Sequence, residues 1–388
     1  MMQHLEADTI LTLLFSLACI LASAELFTNG IEWLGRRLSV AEGAIGSVLA
    51  AFGTALPETL IPFVAILIAR GETGHQIGLG AILGAPFMLA TLAMFITGIA
   101  ALLARRRRAA ARLSSPKSGA WVIVNRRVVG RDLGFFLVMY TAAVAVSFAP
   151  WRALHLAMCF ALLASYCFYL RRVFADPAAG DTELAALRFH RWWVHIFLRP
   201  DDGEDTDSYR ERRSAAAGGA PHLRVIVSQV VIALLGIIGG AYIFVGAAKE
   251  TAASLGIAPL LIALIIAPIA TELPEKFNSI VWIRQGKDTY ALGNITGAMV
   301  FQSSFPVSLG LAFTDWRLLA PAGHPQFALH SAIIALVGGL WLLVATRLAR
   351  PVEGPDRRGQ ERIRLHPGVL LVGGLLYAVF IALLVMRV

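Results

Sequence analysis

The sequence GTALPE at residues 53–58 returns as ATELPE at residues 270–275, and both copies lie inside long apolar segments. Proline removes the amide that would bond the carbonyl four residues back, so each copy predicts a local opening of a helix. A glutamate at membrane depth is unfavourable unless it faces a cavity or a counter-charge. Carboxylate and backbone carbonyl oxygens together suit calcium or sodium. The repeated motif therefore predicts a cation site near the middle of a membrane.

The composition indicates a membrane protein. Hydrophobic residues make up 57% of the 388 residues and charged residues 15%, which is too apolar for a soluble protein of this length. Apolar stretches of about 20 residues predict an all-α polytopic membrane protein with ten transmembrane helices. The first helix is not expected to be a cleaved signal sequence, because acids and no Lys or Arg precede it. The predicted spans cover residues 9–34, 41–70, 76–104, 132–149, 152–171, 223–249, 257–283, 289–313, 327–347 and 367–386.

The basic residues cluster in alternate loops between these spans. If the N-terminus lies outside, 28 of the 34 Lys and Arg fall in cytoplasmic loops. The positive-inside rule then predicts a multi-pass protein of the cytoplasmic membrane with the N-terminus and the C-terminus outside. The net charge of +9 therefore reflects topology and contact with membrane lipids, and no nucleic acid partner is expected. The three cysteines fall in apolar spans, which indicates core packing.

The repeat extends beyond the motif, because LGAILGA at residues 79–85 returns as LGNITGA at residues 292–298. We therefore expect a first five-helix repeat at 1–174, a cytoplasmic linker loop at 175–221 and a second repeat at 222–388. An odd number of spans per half turns the second half upside down, giving the inverted repeat typical of secondary transporters. The glycine spacing predicts close packing of spans 3 and 8 against the two motif spans.

With the two motifs and the partner glycines in place, the chain resembles the calcium:cation antiporter superfamily, nearest to its prokaryotic sodium/calcium exchangers. The resemblance covers essentially all ten spans. It implies a transporter and not an enzyme, with no cofactor and with inorganic cations as its partners. It also implies a divalent-ion site made from two glutamate carboxylates and the backbone carbonyls of two threonines. By motif match these residues are Glu58, Glu275, Thr54 and Thr271.

Several positions depart from the family pattern. Where the family usually has Ser after the second glycine of each partner helix, this chain has Ala85 and Ala298. Four residues further on, where Asn or Asp is usual, it has Leu89 and Gln302. The divalent core is thus retained while oxygen ligands for sodium are depleted. This pattern favours protons over sodium as the counter-ion.

Two further residues complete the candidate metal site, and each has an alternative interpretation. Glu272 stands where the family often has Ser, and it is either a third acid in the pocket or the partner of Lys276 four residues later. Gln302 either supplies an oxygen to the ion or bridges helices. Asn294 is better explained by helix packing than by ion binding.

The sequence therefore predicts a secondary active antiporter that exports calcium or a similar divalent cation in exchange for protons or sodium, by alternating access at a midplane site with two glutamates. A cation channel with paired acids and a non-transporting cation sensor on the same scaffold are the alternatives.

Within the linker, cations and aromatics at residues 188–197 favour a helix lying in the membrane interface over a folded regulatory domain. Divalent selectivity, stoichiometry and oligomeric state stay open.

Overall fold

The described part of the chain consists mainly of long apolar helices. A computed structural model describes residues 7–37, 58–104, 121–174, 187–189, 221–319, 326–352 and 361–386. The predicted fold class, an all-α polytopic membrane protein, is confirmed. The helices are α1 (Ala7–Arg37), α2 (Glu58–Ala69), α3 (Gly71–Leu103), α4 (Arg126–Val146), α5 (Arg152–Phe174), α6 (Leu223–Leu255), α7 (Pro259–Arg284), α8 (Asp288–Gln302), α9 (Phe305–Phe313), α10 (Phe327–Leu348) and α11 (Gly368–Val385).

Eight segments of the described chain are long and apolar enough to cross a membrane, with α8 and α9 counted as one segment. The other two predicted spans correspond to α2 and α7. Only the last part of the second span is described, because residues 38–57 lie outside the described part of the chain. The second copy of the polar motif, residues 270–275, lies within α7. The inverted arrangement of two five-helix halves stays a prediction.

The helices are irregular near the repeated motifs. We expected proline to open the helix at each motif, but α7 is continuous from Pro259 to Arg284 across Pro268 and Pro274. Pro57 of the first motif lies outside the described residues, but α2, which carries Glu58, is π-helical over Val64–Ala69. In α3 a π-helical segment covers Leu89–Ala93. Such turns leave the regular hydrogen-bond pattern and are frequent at functional sites.

The predicted span 289–313 consists of two helices. α8 ends at Gln302, and α9 begins at Phe305 with Pro306 in its first turn. Proline is well tolerated at a helix start and poorly tolerated in the interior, so Pro306 accounts for the new start. This break was not predicted, although Pro306 was the signal for it.

A small antiparallel sheet, also not predicted, joins two loops that are distant in sequence. Its strands β1 (Val122–Asn125), β2 (Arg350–Pro351) and β3 (Arg362–Leu365) have the order β1-β3-β2. One face is apolar and buried and consists of Val122, Val124, Ile363 and Leu365. The outer edge of β1 is bonded to the start of α8: the Ile123 N–H donates to Asp288 Oδ2 at 2.7 Å, and the Asn125 N–H donates to Thr289 Oγ1 at 3.1 Å. Three loops predicted to be cytoplasmic therefore meet at this sheet.

The described residues fall into two compact units. The larger unit holds α2, α3, α4, most of α5, the end of α6, α7 to α11 and the sheet. The smaller unit holds residues 15–37, 170–174, 187–189 and 221–241. The predicted division into two repeats joined by a linker is a different partition, and it stays a prediction.

In the smaller unit, residues 187–189 bind to both long helices. The Arg188 N–H donates to Asn29 Oδ1 at 3.0 Å, and the Phe189 N–H donates to Gln229 Oε1 at 2.8 Å. Leu187 is buried against Val225 and Ile226. Of the interfacial helix expected at 188–197, only Arg188 and Phe189 lie among the described residues.

In the larger unit, α3 packs closely against α7. A Cβ on Gly80 would overlap the Leu260 carbonyl oxygen, and one on Gly84 would overlap the Leu264 carbonyl oxygen. The two helix backbones are therefore as close as glycine permits. The predicted packing role of these glycines agrees with this contact. For Gly293 and Gly297 the corresponding partner would be residues 43–47, which lie outside the described residues.

Candidate functional site

A buried amide joins two buried acids at the centre of the larger unit. Gln302 Nε2 donates to Glu58 Oε2 at 3.1 Å and to Glu272 Oε1 at 3.2 Å. Only 7% of the surface of Glu58, and 1% of that of Glu272 and Gln302, is exposed. The two N–H groups of one amide are thus shared between two carboxyl groups. Three residues that are far apart in the sequence meet here, and each was a candidate metal residue.

One of the three residues lies at a break between helices. Glu58 belongs to α2 and Glu272 lies near the middle of the continuous helix α7, whereas Gln302 is the last residue of α8. Ser303 and Ser304 separate α8 from α9. Interrupted helices line the ion sites of many secondary transporters, because the interruption brings polar backbone groups to membrane depth.

The other three candidate residues are described in part. Thr271 is buried, and its hydroxyl donates to the Ala267 carbonyl at 3.1 Å. This bond turns the hydroxyl towards its own helix. Thr54 lies outside the described residues, and so does the side chain of Glu275, although its backbone belongs to α7. The structure therefore brings together Glu58, Glu272 and Gln302 and leaves the roles of Thr54, Thr271 and Glu275 as predictions.

The chemistry of the described site is that of hard oxygen ligands. Two carboxyl groups and one amide can offer oxygen atoms to a cation, and calcium prefers such ligands. The amide is neutral, so it does not balance the charge of two buried carboxylates. A cation or protons at the acids would balance it. Among the described residues no group of three or more His, Cys, Asp and Glu side chains could hold a metal ion.

Two residues of α3 are apolar where the family resemblance implies oxygen donors. Ala85 and Leu89 are both buried, with 2% and 0% of their surface exposed. Leu89 also begins the π-helical segment of α3. At these two positions α3 therefore provides methyl and isobutyl groups in place of hydroxyl or amide oxygens.

Asn294, which we expected to serve helix packing, bonds across the pair α7 and α8. Its Nδ2 donates to Ser279 Oγ at 3.2 Å, and the Ser279 hydroxyl donates to the Ala291 carbonyl at 3.3 Å. These two hydrogen bonds determine which face of α8 packs against α7.

Another buried acid, Asp132 of α4, was missed by the sequence analysis. Asp132 Oδ1 accepts from Tyr169 and from Arg131 Nε, each at 3.0 Å, and Asp132 Oδ2 accepts from Thr296 at 2.9 Å. The cluster joins α4, α5 and α8. The only signal was an acid beside Arg131 at the predicted start of a span, where charged residues are common. Asp132 thus holds in place the helix that carries Gln302.

The sequence and fold agree with those of known ion exchangers. The chain matches the sodium/calcium exchanger protein family over residues 9–175 and 225–386. It belongs to this family. The match spans both predicted halves and leaves out most of the linker between them.

Individual relatives are distant in sequence but cover most of the chain. The CaxA protein of Alkalimonas amylolytica, whose name gives it a provisional antiporter role, is 24% identical over 338 residues, 87% of this chain and 89% of CaxA. The uncharacterized membrane protein MJ0091 of Methanocaldococcus jannaschii is 22% identical over 318 residues, 81% of this chain and 84% of that protein.

Two solved structures have the same fold. The H+/Ca2+ exchanger CAX aligns with a TM-score of 0.66 and 14% identity over 97% of this chain and 82% of CAX. The sodium-calcium exchanger NCX_Mj aligns with a TM-score of 0.52 and 17% identity over 97% of this chain and 99% of NCX_Mj. At these identities the likeness is one of fold.

Proposed function

We propose that this protein is a secondary active antiporter that exports calcium or a similar divalent cation and takes up protons in exchange. The observation that carries the proposal is the Gln302 amide shared by the buried carboxyl groups of Glu58 and Glu272. Membership of the sodium/calcium exchanger family supports antiport. The two structural relatives are both named as calcium exchangers.

Exchange follows from charge balance at the buried acids. One divalent ion neutralises two carboxylates, and so do two protons. Because a protonated carboxyl group is a poor ligand for a metal ion, the cation and the protons exclude each other. The divalent cation must therefore leave before protons bind, and the protons must leave before the cation binds. This mutual exclusion couples the two fluxes as an exchange and prevents a leak of either ion. In this account Glu58, Glu275 and Glu272 surround the cation, two of them ionised and one protonated, with Gln302 and the Thr54 and Thr271 carbonyls as neutral oxygen ligands.

Protons are the preferred counter-ion in this proposal because of the apolar positions on α3. Sodium needs several oxygen atoms to replace its water shell, whereas a proton needs one carboxylate. The buried Ala85 and Leu89 offer no side-chain oxygen. Sodium coupling would instead require Glu272, Gln302 or backbone carbonyls to replace those ligands.

The proposed orientation places the protein in the cytoplasmic membrane with both termini outside. The sheet supports this, because β1, β2 and β3 come from two loops that the positive-inside rule assigns to the cytoplasm. The contact of Asp288 with β1 adds a third such loop.

The proposal is tested by uptake of radioactive calcium into inside-out membrane vesicles under an imposed pH gradient or an imposed sodium gradient. We expect the pH gradient alone to drive uptake. We also expect uptake to slow as the pH on the calcium side falls, because protons compete for the same carboxylates. Strict dependence on sodium would make sodium the counter-ion. Calcium flux that is not coupled to either gradient would indicate a channel and overturn the proposal.

A further inference from the structure

The sheet has an outer face that is rich in arginine. Arg350 of β2 and Arg364 of β3 stand directly opposite each other in the antiparallel register, and both are exposed. Arg362, two residues before Arg364, lies on the same face because strand side chains alternate. Like charges directly opposite on a sheet destabilise it. An anion bound at this face would relieve that repulsion.

The nearest acid among the described residues is already paired elsewhere. Glu361, which immediately precedes β3, pairs with Arg126, whose Nε lies 3.5 Å from Glu361 Oε2. Arg126 also donates to the Arg347 and Ala349 carbonyls at 3.3 and 2.6 Å. Among the described residues, no ion pair includes any of the three arginines of the sheet face. The Nε of Arg362 is buried and has no hydrogen-bond partner within the same part of the chain.

The sheet lies at the ends of two predicted spans. β2 begins two residues after the end of α10, and β3 ends three residues before the start of α11. At about 3.3 Å per residue, Arg350 lies roughly 7 Å from the end of α10 and Arg364 roughly 13 Å from the start of α11, near the level of lipid headgroups. The Trp121 ring, just before β1, lies edge-on to His366, just after β3, with 5.6 Å between centroids. Tryptophan is enriched at this level of a membrane.

We propose that the arginine face formed by Arg350, Arg362 and Arg364 binds the phosphate of an anionic phospholipid in the adjacent leaflet. A phosphate accepts hydrogen bonds from two guanidinium groups at once, and arginine binds it better than lysine does because its donors form a planar fork. The apolar opposite face packs inward, so Arg350 and Arg364 remain exposed on the outside, with Arg362 half-buried beside them. This inference is independent of which ions the protein exchanges.

The test uses the purified full-length protein in a neutral detergent, titrated with short-chain phosphatidylglycerol while the thermal unfolding midpoint is measured. We expect phosphatidylglycerol to raise the midpoint, and equal concentrations of phosphatidylcholine or inorganic phosphate to leave it unchanged. In the double variant Arg350→Gln/Arg364→Gln, the concentration for half of the shift should rise roughly 30-fold, since each arginine near an anionic lipid surface contributes about a factor of five. The single variant Arg364→Gln should show about a fivefold rise.

Two controls make the result specific. Arg317→Gln removes an exposed arginine between α9 and α10, on the side predicted to be outside, and should respond like the original protein. Arg350→Lys/Arg364→Lys keeps the charge but not the planar fork, so its response should lie between those of the original protein and the double glutamine variant, and it tests the proposal even if the glutamine variant does not fold. An unchanged response in Arg364→Gln would overturn the proposal, and so would an equal shift with inorganic phosphate or no shift with phosphatidylglycerol.

Discussion

At the scale of single residues, Gln302 is a neutral side chain that serves two buried acids. An amide has two N–H groups, and here each meets a different carboxyl group. Hydrogen bonds to charged groups stabilise by roughly 1.5 to 3 kcal/mol, more than those between neutral groups. A cation that binds between these carboxyl groups must compete with the amide donors, so Gln302 links the stability of the site to its occupancy.

Replacing Gln302 with leucine should therefore destabilise the protein. Leucine has a similar size but no donors, so two hydrogen bonds to buried acids are lost. We expect the free energy of unfolding to fall by about 3 kcal/mol, measured by denaturant titration of the purified protein without added divalent cation. Gln285→Leu, at an exposed position after α7, is the matched control and should change it by less than about 0.5 kcal/mol. Equal stability of both variants would mean that Gln302 does not bond to the acids.

The candidate site was predictable from sequence to the extent that the repeat revealed it. Glu58 and Glu272 lie in the two motif copies, and Gln302 lies on the partner helix at the position that the family resemblance marks. The contact of both acids with one amide could not be predicted, because it depends on how far the three helices are displaced along their axes relative to one another. Asp132 was missed because an acid next to Arg131 at a span boundary has no distinguishing pattern.

At the scale of helices, the close contact of α3 with α7 positions the site. Glycines at 80 and 84 let the backbones approach, and the same α7 carries Glu272. Small residues at such spacing are typical of helix contacts in membranes, where dispersion and packing replace the hydrophobic effect.

A methyl group at this contact should disturb both packing and transport. In Gly84→Ala the new Cβ would overlap the Leu264 carbonyl and lie 2.6 Å from Pro268 Cγ, so α3 and α7 must separate. We expect a loss of stability of about 1 to 3 kcal/mol together with slower calcium exchange. Gly246→Ala, at an exposed site in α6 with open space around it, should be neutral or stabilising because alanine favours helix. Equal behaviour of the two variants in unfolding and uptake assays would contradict the packing role.

Long helices were more predictable than short elements. Hydropathy located the spans because each needs about 20 apolar residues. The sheet was missed because its strands have two to four residues and because β1 pairs with β3 across more than two hundred residues of sequence. The break after Gln302 was missed because the apolar pattern of residues 289–313 continues through it, and continuity outweighed the signal from Pro306.

At the scale of the whole molecule, the predicted inversion places equivalent loops on opposite sides of the membrane. Glu72, at the start of α3, and Lys287, between α7 and α8, are both exposed. Single cysteines at these two positions, in a background without Cys19, Cys159 and Cys167, should react with an impermeant thiol reagent from opposite sides. We expect Glu72→Cys to react in intact cells and Lys287→Cys only in inside-out vesicles. Labelling of both from the same side would contradict the inverted repeat.

The most direct test of the central claim measures calcium exchange by the purified protein in liposomes under an imposed pH gradient. The assay compares the original protein with Glu58→Gln, Glu272→Gln, the double variant and the control Glu250→Gln. Glu250 is an exposed acid of α6, and its variant should exchange normally. Because Glu58 and Glu272 act as one unit through Gln302, we predict that each single variant loses more than about 100-fold in rate and that the double variant is no slower than either. Near-normal exchange in either single variant, or losses that multiply in the double variant, would contradict a shared cation site.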